Sequence, residues 1–187
     1  MLLILPFKKI GAFGDGGAIV TNEDKIAEDF RVFRNYGSEK RYYNKIVGAN
    51  SRLDEMQAGL LRVRLAHAAA MEEERIKIAE RYTAEIKNPK IKLPKVRENC
   101  TAVWHQYVIR CEERDRLIEY LDEKGIGTII HYPIPPHLAE AYNYLGYEEG
   151  AFPITEKCAK TVLSIPMYCG MTAEEQTQVI EALNAFE

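Results

Sequence analysis

Between Ser51 and Lys87 the chain holds no proline and a single glycine, Gly59. A run of roughly 35 residues that can all be helical would be about 50 Å long, more than one compact domain spans. Ser51-Arg-Leu-Asp54 has the form of a capping-box start. Leu53, Met56, Leu60, Leu61 and Leu65 supply the expected buried stripe, and Glu72-Glu-Glu-Arg75 marks a wetter stretch. The helix, straight or kinked, is therefore read as a bridge between residues 1–87 and a second domain over 88–187.

The flanking segments read as α/β. Leu2 to Leu5 is an apolar strand ended by Pro6, followed by the glycine-dense Gly11-Ala-Phe-Gly-Asp-Gly-Gly-Ala18 and a strand over 18–21. Asn22 is a candidate N-cap for a helix over 23–34, and residues 38 to 50 read as an ordered loop. After a linker from Asn88-Pro89 to Asn99, with a short extended piece over 91–93, come a strand over 102–111, a helix over 113–124 stopped by Gly125, and a strand over 126–131. Helices near 138–145, 154–163 and 172–186 complete the pattern, the last opened by Thr172-Ala-Glu-Glu175. The layout is a small sheet covered by helices.

Composition narrows the function classes. Apolar residues make up 47% and charged residues 28%, with a net charge of −3 spread over both signs. That profile gives no electrostatic basis for binding nucleic acid or an anionic membrane. The amino-terminal apolar run is too short for a signal peptide or a span. Four cysteines without metal-like spacing read as reduced thiols of a cytoplasmic protein. No zinc-type grouping and no Gly-x-Ser-x-Gly elbow occurs, and no Gly-Lys-Ser/Thr ends the glycine-rich loop.

Lys8 stands between the apolar strand and the glycine-rich turn. An amine held at a strand end can form a Schiff base if its surroundings lower its pKa, although a solvated charge is the ordinary reading of such a lysine. The series Lys8-Lys-Ile-Gly-Ala-Phe-Gly-Asp-Gly-Gly-Ala-Ile-Val-Thr21, Arg34-Asn-Tyr-Gly37 and Gly48-Ala-Asn-Ser-Arg-Leu-Asp-Glu-Met-Gln-Ala58 closely resembles the DegT/DnrJ/StrS sugar-nucleotide aminotransferases. These are pyridoxal-phosphate enzymes of the aspartate-aminotransferase fold. Gly125 to Pro133, His137 to Tyr142 and Val162 to Met167 fit as well, so the resemblance covers essentially the whole chain. Within the family, His131-Tyr-Pro-Ile-Pro-Pro-His137 looks most like enzymes that make dTDP-linked 3-amino-3,6-dideoxyhexoses.

The resemblance implies that residues 1–87 are the carboxy-terminal part of the large cofactor-binding domain, and 88–187 the small α/β domain. Lys8 matches the lysine that binds pyridoxal 5'-phosphate and shuttles protons, with Lys9 a weaker competitor. Asn50 matches the asparagine that reaches the cofactor phosphate of the other subunit, while helix capping is its alternative reading. Arg52, His131 and Tyr132 fall where the family meets the nucleotide and sugar. For His131, a strand-end imidazole bonded to backbone is the alternative. His67 and His105 are read as structural and Asp15 as a turn residue. Relatives that dehydrate sugars carry histidine in place of the lysine, which sets this chain apart from them.

The implied reaction is transfer of an amino group, with glutamate as donor, to a nucleotide-linked keto sugar. Family members run to about twice this length, with the lysine near the middle, and Leu3 replaces the serine usual five residues before it. The expectation is a truncated or internally started product that needs a homodimer or an amino-terminal half. By itself it should develop no cofactor absorbance. The alternative is a non-enzymatic remnant or interaction module retaining the small domain.

Overall fold

The computed structural model describes the backbone of residues 2–6, together with residue 11 and residues 13–187. Contacts divide the chain into two compact units, Met1–Ala69 and Ala70–Glu187.

In the first unit, β1 (Leu2–Pro6) pairs antiparallel with β2 (Gly17–Thr21), Leu2 opposite Thr21 and Pro6 opposite Gly17. The α1 helix (Asp24–Phe33) follows. Asn22 does not cap it: the N-cap is Glu23, and the nearby side-chain bond runs from the Glu23 N–H to Thr21 Oγ1 at 3.1 Å. The expected loop over 38–50 contains a short hairpin, β3 (Ser38–Lys40) with β4 (Tyr43–Asn44). Its two- and three-residue strands are too short to show a sequence period.

The long helix is two helices, α2 (Glu55–Ala66) and α3 (Ala68–Glu85). Neither proline nor glycine stands at the break. The backbone leaves the helical region at His67 (φ −102°, ψ 0°), whose N–H takes a 3₁₀-type bond to the Arg64 carbonyl at 3.1 Å. The Ser51–Asp54 capping box does not form, since Asp54 is the N-cap and makes no side-chain cap bond. Among the described residues of this unit, Leu61 is the one buried apolar side chain. Met56, Leu60 and Leu65, expected in the buried stripe, are exposed.

The second unit has a proper core. From α3, Ile78, Ala79 and Tyr82 point inward at helical spacing, with Ile86 one turn on. Antiparallel β5 (Tyr107–Arg110) and β6 (Val162–Ile165) pair Tyr107 with Ile165 and Arg110 with Val162. Single bridges from Lys92 to Arg110 and from Ile129 to Ser164 flank this ladder. Helices α4 (Arg114–Glu123) and α6 (Ala173–Asn184) bury Leu117 and Leu121, and Val179, Ile180 and Leu183. Tyr82 and Tyr107 meet edge to face at 5.2 Å, and the Tyr82 hydroxyl donates to the Pro166 carbonyl at 2.9 Å.

The strand expected over 102–111 is confined to β5, the one expected over 126–131 is reduced to the bridge at Ile129, and three further expectations change. The helix α5 (Pro153–Thr161) gives way at Val162 to β6, because Val162 and Ile165 are β-branched and the Tyr107–Arg110 edge pairs with this segment. The region near 138–145 forms two 3₁₀ turns, Pro136–Leu138 and Glu140–Leu145. The Asn88 "linker" is a buried capping node. Its amide Nδ2 donates to the carbonyls of Leu183 (2.8 Å) and Phe186 (2.7 Å), and its Oδ1 accepts from the Lys90 N–H (2.9 Å). The expected Thr172–Glu175 capping box on α6 is present in both directions.

Candidate active site

Lys8 and Lys9 lie outside the described residues, so the site is built from the groups expected around them.

In the first unit, the segment carrying Asn50 is laced to the end of α1 through the backbone. The Ala49 N–H donates to the Phe33 carbonyl (2.9 Å), the Tyr36 N–H to Ala49 (3.0 Å), and the Ser51 N–H to Arg34 (2.9 Å). Two glycines permit this approach. A Cβ on Gly48 would sit 2.2 Å from the Gly37 nitrogen and 2.5 Å from the Phe33 carbonyl oxygen. One on Gly37, at φ +71°, would sit 1.8 Å from the Ile46 oxygen. The motifs Arg34-Asn-Tyr-Gly37 and Gly48-Ala-Asn50 are thus two sides of one tight backbone crossing.

On that crossing Asn50 is exposed, and its side-chain amide makes no hydrogen bond with any described residue. It does not cap a helix, since α2 begins five residues later with Asp54 as its N-cap. Arg52 is also exposed, but it is held: Nη1 donates to Asn35 Oδ1 at 2.8 Å, and the guanidinium lies 5.4 Å from the Tyr36 ring centroid. In the glycine-rich turn, the Asp15 carbonyl accepts from Gln57 Nε2 at 2.9 Å. Gln57 Oε1 is buried with no partner among the described residues.

In the second unit, His131 is half-buried, and its Nδ1 lies 2.9 Å from Ser164 Oγ. Its partner is a buried side-chain hydroxyl of β6 rather than a backbone group. The Tyr132 ring meets His131 edge to face at 5.4 Å and is exposed. His131 and Ser164 line an open cleft of about 190 Å³, with Gln106, Thr128, Ile129 and Met167.

Arg75, which no sequence pattern singles out, holds two walls of this cleft. Its Nη1 lies 3.2 Å from the Trp104 carbonyl, 3.4 Å from that of His105 and 3.3 Å from that of Met167. Glu156 was also missed. It is buried beside His137, accepting from His137 Nε2 (3.0 Å) and from the N–H groups of Gly150 (2.9 Å) and Phe152 (3.1 Å). Burial pushes this carboxyl's pKa up. The donated N–H bonds and the neighbouring imidazole outweigh that, leaving it below the ordinary value of 4.5. Nothing in the helix's sequence pattern marks it, since Glu156 shares its buried side with Ala159 and Thr161.

No cluster of three or more potential metal ligands occurs among the described residues, and all four cysteines are unpaired. None of the described helices is long and apolar enough to cross a membrane. For a phosphate-bearing cofactor, the exposed Asn50 amide, without a hydrogen bond to any described residue, offers a suitable neutral N–H donor, so the described residues fit that group.

The chain is 45% identical over 196 residues to the dTDP-3-amino-3,6-dideoxy-alpha-D-galactopyranose transaminase of Aneurinibacillus thermoaerophilus, covering 96% of this chain and 53% of that one. It is 44% identical over 181 residues to the erythromycin biosynthesis sensory transduction protein EryC1 of Saccharopolyspora erythraea, covering 96% and 50%. The crystal structure of S. venezuelae DesV in complex with a ketimine intermediate superposes with a TM-score of 0.95 at 41% identity, over 98% of this chain and 50% of that one. The chain thus spans about half the length of the curated relatives it matches. Residues 5–184 match the DegT/DnrJ/EryC1/StrS aminotransferase family, and the chain belongs to that family.

Proposed function

We propose that this chain provides part of the active site of a pyridoxal-phosphate-dependent transaminase acting on a dTDP-linked 3-keto-6-deoxyhexose, with glutamate as amino donor. Residues 1–87 correspond in this reading to the carboxy-terminal part of a large cofactor-binding domain, and 88–187 to the small domain. The assembly is a cytoplasmic homodimer. The observation that carries the reading is the glycine-locked crossing that presents the exposed amide of Asn50, which hydrogen-bonds to no described residue. That placement suits a group reaching outward to a phosphate.

In this reading Lys8 is the covalent anchor for the cofactor, and its amine, once released, takes the proton from one carbon and delivers it to the other, acting as base and then as acid. Asn50 donates to the cofactor phosphate. Arg52, held by Asn35 and Tyr36, meets a phosphate of the nucleotide, and a fixed guanidinium loses less freedom on binding than a mobile one. His131, oriented through Ser164, and Tyr132 face the sugar. Pyridoxal phosphate, when bound, supplies the electron sink for the carbon from which the proton leaves.

The test is a chimera in which the portion of the Aneurinibacillus transaminase outside the matched region is fused ahead of this chain. Borohydride reduction with pyridoxal phosphate should leave the label on Lys8, and Lys8→Ala should abolish both label and transamination. Asn50→Ala should weaken cofactor binding while the fold persists. A label on Lys9, or one that survives Lys8→Ala, would refute the assignment.

A further inference from the structure

The segment from Ile129 to His137 is tied down at both ends, and both ties go to one continuous stretch of chain. At its start, Ile129 and Ser164 exchange two backbone bonds of 2.9 and 3.2 Å, and His131 Nδ1 lies 2.9 Å from the hydroxyl of the same Ser164. At its end, His137 Nε2 lies 3.0 Å from Glu156 Oε1. Glu156 belongs to α5 and Ser164 to β6, which follows α5 without an intervening loop. The second tie is buried: the His137 and Glu156 side chains are 8% and 9% exposed, and the rings of Phe152 and Tyr147 meet the imidazole edge to face at 4.8 and 6.5 Å. The N–H groups of Gly150 and Phe152 also donate to Glu156, which keeps its carboxylate turned toward the imidazole. Between Tyr132 and His137 stand Pro133, Ile134, Pro135 and Pro136. Proline fixes three of these four φ angles, and Pro135 is buried in an extended conformation (φ −59°, ψ 140°), so the segment is a stiff spacer rather than a hinge. Tyr132 is 65% exposed; its ring touches His131, and it has no hydrogen-bond partner among the described residues. Where that ring stands is therefore set by its backbone, and the backbone by the two ties.

We infer that Glu156 is a positioning residue for Tyr132: by gripping His137 it fixes the far end of the proline spacer, and with it the place at which the Tyr132 ring meets the sugar. The inference rests on the reading of His131 and Tyr132 as facing a keto sugar. A carboxylate that served only the start of its own helix would need the Gly150 and Phe152 amides alone. The buried imidazole is what connects Glu156 to the segment of Tyr132. A side chain that touches no substrate acts in this way through the geometry it imposes, and small displacements of a substrate-facing group are costly.

The experiment places a fluorinated tyrosine at position 132 of the 187-residue chain and records its fluorine NMR resonance. Glu156→Ala and His137→Ala should each shift or broaden that resonance. Glu156→Gln, which keeps an acceptor for His137 and for the two amides, should restore it. In the chimera described above, the two alanine variants should lower kcat/KM for a dTDP-linked 3-keto-6-deoxyhexose on the order of 10- to 100-fold, while the half-reaction with glutamate changes by less than about three-fold. A role in stability alone would depress both half-reactions together. An unmoved resonance, a resonance moved by Glu156→Ala but not by His137→Ala, or equal losses in both half-reactions would each overturn the inference. Should Glu156→Ala not fold, His137→Ala and Glu156→Gln carry the same test. A chimera inactive toward both substrates before any substitution removes the transaminase reading alone, and the fluorine resonance then decides whether Glu156 sets Tyr132.

Discussion

Replacing Asn88 tests how the second unit is held at its helix ends. Asn88 donates to the carbonyls of Leu183 and Phe186 at the end of α6, and accepts from the Lys90 N–H. In return, Asn184 of α6 serves the end of α3: its Oδ1 accepts from the Lys87 N–H (2.6 Å) and the Asn88 N–H (3.2 Å), and its Nδ2 donates to the Glu85 carbonyl (2.9 Å). Two helix C-termini, each short of donors, are thus capped by asparagines of opposite elements. Asn88→Ala removes three bonds at a side chain that is 9% exposed. At about 0.5–1.5 kcal/mol net for each, the loss is roughly 2–4 kcal/mol. For a unit of this size that lowers Tm by on the order of 10 °C. Asn88→Asp should be worse still, although it keeps the acceptor for Lys90, because it sets a carboxylate against two carbonyls at the negative end of a helix. Urea and thermal unfolding followed by far-ultraviolet circular dichroism would measure both. A loss under about 0.5 kcal/mol for Asn88→Ala, or Asn88→Asp outlasting Asn88→Ala, would refute the capping account.

Two further predictions concern single positions. Glu156 is held below its ordinary pKa of 4.5, so its contribution is complete above pH 4.5 and is lost as pH falls through the lower folded-state value. Thermal unfolding between pH 3 and 6 should show an acid-side drop that Glu156→Gln flattens, and equal slopes in both proteins would contradict it. At Gly48 any side chain meets backbone within 2.5 Å, whereas Gly59 in the middle of α2 has nothing within 4 Å. Gly48→Ala should therefore disrupt the crossing, and Gly59→Ala should stabilise α2 by about 0.5–1 kcal/mol. Hydrogen exchange at the Ala49 and Ser51 amides reads the first, and helicity reads the second.

The sequence was most legible where local rules and packing agree. Leu117 and Leu121, Val179 and Leu183 sit at helical spacing and are buried, and Thr172 with Glu175 forms the box that its letters spell. It failed where distant partners decide. Val162 to Ile165 continues a helical pattern, yet becomes a strand because Tyr107–Arg110 lies alongside. Asn88 followed by proline spells a linker until α6 is packed against it. In the candidate site, Gly37 and Gly48 stood in the motifs that carry the family resemblance, but the crossing on which Asn50 stands was not legible, because it is made by backbone groups of Phe33, Gly37 and Ile46 that meet only in the fold. Arg75 was invisible because its carbonyl partners lie far along the chain, whereas Glu156 binds the nearby Gly150 and Phe152 amides and takes only His137 from farther off. The α2 stripe misled for another reason. Its apolar residues were read as a buried stripe, and among the described residues burial reaches Leu61 alone of them.

The Arg75 contact has a mechanical side. One guanidinium nitrogen, with two protons, is shared among three carbonyl oxygens that come from two separate stretches of chain. Because the side chain is rooted in α3, an axial slip of that helix by a fraction of an ångström tugs both stretches together, and neither can swing away without surrendering a share of the same donor. The mouth beside His131 is therefore geared to the helix: its aperture is set by where α3 sits, and a substrate entering there would feel a stiff frame rather than two independent flaps.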